Sequence, residues 1–106
     1  MRVTIQSLHF DADSSLKSFI QEKLEKLTTF YANLQGIQVT LKLEKNQDKG
    51  NKQVTAKVLI PNHTLVANCQ NSSFESCVDN VAEDLARQLK RHNKKEQDKQ
   101  RARVAS

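Results

Sequence analysis

A chain of 106 residues, 27% charged and 37% hydrophobic, with two glycines and one proline, holds one domain whose modest core buries roughly 65% of the unfolded surface. That leaves little room for a deep catalytic cleft. The net charge of +5 is uneven, because from Arg87 onward eight Lys or Arg stand against two acids, while residues 1–86 hold nine bases against ten acids.

No stretch nears the roughly 18 apolar residues of a membrane span, and the opening MRVTIQSLHF lacks a signal-peptide pattern. A cytoplasmic protein is the default reading. Cys69 and Cys77 form neither a C-x-x-C motif nor part of a larger set, so a disulfide framework or a thiolate metal site is not expected and both read as small buried side chains.

In chain order, RVTIQSL alternates as a strand, with Val3 and Ile5 on one face and Thr4 and Gln6 on the other. In FDADSSLKSFIQEKLEKLTTFYANLQG, Leu16, Phe19, Ile20, Leu24, Leu27 and Tyr31 recur at helical spacing; Asp13 is placed to cap the start and Gly36 follows the end. IQVTLKLE then alternates strictly, Ile37, Val39, Leu41 and Leu43 inward against Gln38, Thr40, Lys42 and Glu44 outward, as in a sheet covered on one face only. KNQDKGN, residues 45–51, predicts an exposed hairpin loop. QVTAKVLI follows with Val54, Ala56, Val58 and Ile60 inward, Pro61 and Asn62 mark a turn, and TLVANCQ is a less regular fourth strand. Three strands on short connections predict an antiparallel meander.

The last element opens at SSFE, where Ser72 and Glu75 predict a reciprocal capping box. Phe74, Val78, Val81, Leu85 and Leu89 continue at helical spacing, and no glycine or proline interrupts them. Charge density alone is expected to fray this helix, past Asn93, with residues after about 98 disordered. The order β-α-β-β-β-α predicts an α+β fold, a four-stranded sheet with two helices packed on one face and the other face open and polar. Its outline is double-stranded-RNA-binding-domain-like.

On a wheel of about 100° per residue, Arg87, Lys90, Arg91 and Lys94 lie almost opposite the apolar stripe. They point away from the core and are free to meet a polyanion, and such contacts hold a backbone without identifying bases. The plainer reading is a solvated helix, in which Asp79, Glu83 and Arg87 at four-residue steps make weak pairs and complement the macrodipole. Dipole effects fade within about one turn, however, and the cations continue for several, so nucleic acid is the favoured partner. A membrane surface would want bulky apolar residues among the cations, and past Arg91 only Ala102, Val104 and Ala105 are apolar.

Lys23 and Lys26 on the first helix, and Lys42 and Lys57 on open strand faces, are ordinary surface lysines unless they adjoin that patch. His9, His63 and His92 are far apart in sequence with no metal-ligand spacing, each a loop or surface residue. Of the aromatic residues only Tyr31 is a candidate for stacking on a base, the phenylalanines being needed in the core. No phosphate-loop, nucleophile-elbow or zinc-helix motif is present, so an enzyme, a cofactor and a metal are not expected.

The opening RVTIQSLHFDADSSLKSFIQEKLEKLTTFY, the strand IQVTLKLEK, the segment PNHTLVANC and the helix SSFESCVDNVAEDLARQLKRHNKK together resemble the short ribosome hibernation-promoting factors of bacteria, also called ribosome-associated inhibitor or sigma-modulation proteins. The most specific match is L-x-R-Q-L-x-[KR]-x-x-x-K, carried by Leu85, Arg87, Gln88, Leu89, Arg91 and Lys95. A K-L-x-K-L pattern at Lys23, Leu24, Lys26 and Leu27 accompanies it.

The resemblance implies a ribosome-binding hibernation domain over residues 1–95 and a basic, disordered tail over 96–106. It implies that the protein sits on the small ribosomal subunit in the channel of messenger and transfer RNA, and inhibits translation under stress or in stationary phase. Arg87, Gln88, Lys90, Arg91, Lys94 and Lys95 are the implied contacts to ribosomal RNA, with Lys23, Lys26 and Arg2 secondary. No DNA or membrane partner is implied, and a monomer is expected off the ribosome.

Long members carry a further domain that pairs two ribosomes; this chain stops after the basic tail, so self-contained ribosome dimerisation is not expected. Many members have an acid before an aromatic near the start of the second helix, where this chain has Ser73 and Phe74, so no role of that acid carries over. The alternatives are a general RNA-binding or ribosome-assembly module without inhibitory role, or a small enzyme on a ferredoxin-like sheet. The enzyme would want a strand after the second helix, which RHNKKEQDKQRARVAS does not supply.

Overall fold

The computed structural model describes residues 2–8, 10–43 and 51–105, with side chains along the last helix described as far as Asn93. Strand β1 (Arg2–Leu8) leads to helix α1 (Ser14–Glu25), which tightens into a 3₁₀ turn, Lys26–Thr29. Then come β2 (Gly36–Leu43), β3 (Lys52–Ile60), β4 (His63–Asn71) and helix α2 (Phe74–Ala105). The four strands form one sheet in the order β1-β2-β3-β4. β1 and β2 are parallel, which needs a crossover, and α1 supplies it; β2, β3 and β4 form the antiparallel meander.

Alternation in the sequence becomes two unlike sheet faces. Register pairs Ile37 with Val58, Val39 with Ala56 and Leu41 with Val54, and all six are buried. Both helices cover this face. α1 contributes Ile20 and Leu24, and α2 contributes Phe74, Val78, Val81, Leu85 and Leu89, all in the same core. The opposite face keeps Arg2, Thr4, Gln6, Gln38, Lys57 and Asn68 exposed, and Val66, 46% exposed, is the large apolar exception among the described residues.

Local signals decide the element ends. Asp13 caps α1 as expected, its carboxylate accepting from the Leu16 N–H at 2.8 Å. Gly36 does not end that helix; it opens β2, ten residues beyond Lys26. The last turn tightens instead, with Thr28 and Thr29 hydroxyls donating back to the carbonyls of Glu25 and Lys26. At the β3–β4 turn Asn62 takes φ 67°, a left-handed conformation that asparagine tolerates better than branched side chains.

The predicted cap of α2 is shifted by one residue. Ser73, not Ser72, accepts from a helix N–H, that of Ser76 at 3.3 Å, and its hydroxyl donates to the Glu75 carboxylate at 3.0 Å. Ser72 lends its carbonyl to Lys52 Nζ at 3.1 Å, tying the helix start to β3. Ser73→Ala is therefore expected to cost about 1 kcal/mol in urea unfolding, and Ser72→Ala less than about 0.5 kcal/mol. Equal costs would show that the cap is misassigned.

The backbone of α2 is helical to Ala105. The expected fray past Asn93 and the disordered tail at 96–106 lie beyond the described side chains. The predicted hairpin loop, apart from Asn51, lies outside the described residues altogether.

Candidate nucleic-acid interface

Helix α2 lies over β3 and β4, held there by Leu85 and Leu89, neither of which is exposed at all. That anchoring fixes which way the neighbouring side chains point. Arg87 and Arg91, one turn apart and about 6 Å along the axis, are both exposed, Arg87 on the crest away from the sheet and Arg91 on the flank toward β4, beside Gln88 and Leu65. Arg87 does not pair with Glu83 as the four-residue spacing suggested. Its guanidinium lies 3.9 Å from Asp84, one residue nearer, with 69% of the side chain exposed, a geometry worth a few tenths of a kcal/mol and easily given up to a phosphate.

Lys90 departs from the crest. It leans toward the end of the 3₁₀ turn, where its ammonium stands 4.6 Å from the centre of the Phe30 ring. A cation over an aromatic face at an open site is worth about 0.5–1 kcal/mol, which orients the ammonium without neutralising it. Asn93 Nδ2 donates to the Phe30 carbonyl at 3.5 Å on the same flank. On the other flank Gln88 Nε2 donates to the Val66 carbonyl of β4 at 3.2 Å. Thus Arg87, Gln88, Lys90 and Arg91 share one stretch of helix but face three ways.

The remaining candidates are not gathered there. Lys23 meets Asp79 near the start of α2 at 3.0 Å, both side chains about half exposed, and lies roughly 18 Å of helix rise from Arg91. Exposed Lys26 opens the 3₁₀ turn that leads to Phe30, on the Lys90 side. Arg2 is on the open sheet face, behind the helices. Lys94 and Lys95 are on α2, with side chains outside the described set.

Some of the surroundings were not legible in the sequence. His63 and His92, 29 positions apart, meet edge to face at 4.8 Å, and His92 also tilts against Tyr31 at 5.7 Å. Tyr31, the stacking candidate, is 4% exposed and belongs to the core. Only the neighbourhood of His92 and Arg91 in sequence hinted at this cluster.

The cysteines take no part in the charged surface. Cys77 is buried and Cys69 half-buried. Burial, reinforced by the Cys69 thiol beside it and opposed by a backbone hydrogen bond from Val54, pushes the Cys77 thiol up from 9.0 to about 12. It stays protonated at neutral pH and packs as a small apolar group.

The model of the family described as sigma 54 modulation protein / S30EA ribosomal protein matches residues 3–97. The chain belongs to this family. The match takes in every candidate cation on the two helices and leaves Arg2 one residue outside.

Among curated members, a ribosome hibernation promoting factor of Pseudomonas putida is 33% identical over 97 residues, covering 92% of this chain and 91% of its own. One from Azotobacter vinelandii is 26% identical over 100 residues, covering 94% and 90%. Two solved structures share the fold. A ribosomal subunit interface protein from Coxiella burnetii superposes with TM-score 0.76 at 22% identity, over 88% of this chain and 98% of that one. The Protein Y N-terminal domain of Thermus thermophilus superposes with TM-score 0.75 at 16% identity, over 87% and 99%. The mixed four-stranded sheet with two helices on one face is therefore a fold that this chain shares with both.

Proposed function

We propose that this protein is a ribosome hibernation factor. It binds ribosomal RNA of the small subunit through the crest of α2, occupies the path of messenger and transfer RNA, and holds the ribosome idle by occlusion. The observation that carries this reading is the pair Arg87 and Arg91, exposed on a helix whose opposite face is locked into the core by Leu85 and Leu89. The likeness to ribosome hibernation promoting factors along nearly the whole of both chains supports it. Residues 1–95 carry the binding, and the eleven that follow add basic charge along the RNA. The protein acts as a binding wedge and not as a catalyst.

A contact made chiefly to phosphates must weaken with salt, because each neutralised phosphate releases counterions. With about five phosphates engaged, log affinity for purified small subunits is expected to fall against log salt with a slope of about −3.5 to −4.5. Sucrose-gradient co-sedimentation over a salt series measures it, and an initiation assay on finished ribosomes reads the block. A flat salt profile, or bound ribosomes that initiate normally, would refute occlusion through this surface.

A further inference from the structure

Between α2 and β4 lies an open hollow of about 170 Å³, lined by Leu65, Gln88, Arg91 and His92. We propose that it seats one unpaired nucleobase of the bound RNA, with Arg91 on the adjoining phosphate. The proposal rests on the RNA-binding reading above and deepens it from backbone contact to a preference for unpaired strands.

Size sets the first limit. Ligand clefts for drug-sized molecules run to about 300–1,000 Å³, so this hollow takes a single flat ring system and not a dinucleotide. Its walls suit such a ring. Leu65 gives a half-buried apolar surface. The His92 imidazole is held by His63 at 4.8 Å and Tyr31 at 5.7 Å, so a base that packs on it orders little that is not already ordered.

Gln88 supplies polarity with a fixed sense. Its amide nitrogen donates to the Val66 carbonyl, and because a carbonyl only accepts, the amide cannot be reversed. Oε1 is then the end that accepts, from an exocyclic amino group or ring N–H of a base. Arg91 adds a planar cation able to stack on a base or fork onto a phosphate. A fully paired duplex offers no free base to insert, so this hollow distinguishes loops and single strands from helices while the crest does not.

The test uses the full chain and Leu65→Trp, which fills the hollow while leaving every Lys and Arg of the chain in place. Fluorescence anisotropy with an unpaired RNA of about 12 nucleotides is expected to show about tenfold weaker binding by the variant, one stacked base lost, with affinity for a duplex of the same length and the salt slope unchanged. Undiminished binding of the unpaired RNA by a folded Leu65→Trp overturns the proposal.

A second measurement needs no variant. Adenosine 5′-monophosphate added to the wild-type chain is expected to move the NMR signals of the Leu65 methyls, the Gln88 side-chain amide and the His92 ring, whereas inorganic phosphate leaves them in place. Equal shifts from both would mark an anion site alone and also overturn it. If ribosome co-sedimentation is lost on reversing Arg87 and Arg91 but RNA binding ignores Leu65→Trp, only the hollow falls; if reversal leaves co-sedimentation intact, the ribosome reading falls first.

Discussion

Replacing Arg87 and Arg91 together by glutamate is expected to weaken ribosome binding by at least about 100-fold while leaving the fold in place. Hydrogen bonds to charged groups contribute about 1.5–3 kcal/mol each, and reversal adds repulsion from the phosphates to the loss of two contacts. The salt slope should become shallower by about 1.4–1.8, some 0.7–0.9 for each phosphate released. Stability should change by less than about 1 kcal/mol, since both side chains are exposed and Arg87 loses only a 3.9 Å pair to Asp84. Co-sedimentation and urea unfolding of the same preparation measure the two effects. Wild-type binding by a folded double variant removes the crest of α2 from the interface.

Leu85→Ala is expected to act in the opposite order, on stability first and on binding only as a consequence. Leu85 is fully buried in the cluster that joins α2 to β3, β4 and α1, and cutting it back leaves a cavity as well as lost apolar contact. The cost should be about 3 kcal/mol, within the 2–5 kcal/mol usual for such truncations. A domain of this size has about 5–15 kcal/mol in all, and with a urea slope of about 1–2 kcal/mol per molar the midpoint should drop by about 2 M. Saturating ribosomes should recover much of the lost binding, because a ligand of the folded state pulls the equilibrium toward it. They should not rescue the arginine variant. A Leu85→Ala protein with an unshifted midpoint would mean that the helix is not anchored through this residue.

Features that depend on neighbours in sequence were legible from the residues alone. Strict alternation in β2 and β3 gave the two sheet faces, and the stripe from Phe74 to Leu89 gave the buried side of α2. Asp13 gave the start of α1. Where two equivalent residues stood side by side, as Ser72 and Ser73 do, local chemistry offered two registers; the Ser72 hydroxyl donates to Asn71 Oδ1 at 3.4 Å and the Ser73 hydroxyl takes the cap. Gly36 misled for a related reason. The end of α1 is set by threonine hydroxyls folding back on the chain, which no spacing rule for apolar residues reports.

The candidate site was legible as a stripe but not as a surface. A helical wheel places Arg87 and Arg91 correctly, yet it cannot know that Phe30 waits beside Lys90, that Asp79 has claimed Lys23, or that Gln88 reaches the rim of the sheet. Each of those partners is supplied by a different element. Their positions follow from how the two helices lie on four strands, which is information held by the whole core.

The bond from Gln88 to the Val66 carbonyl bears on storage as well as on recognition. β4 is the last strand of its sheet, and the bare rim of such a strand is where a second copy can extend the pleat and begin a fibril. Here one carbonyl of that rim is already taken by a side chain from the molecule's own longest helix. An intruding strand must first break this clasp, so stacking of copies starts uphill.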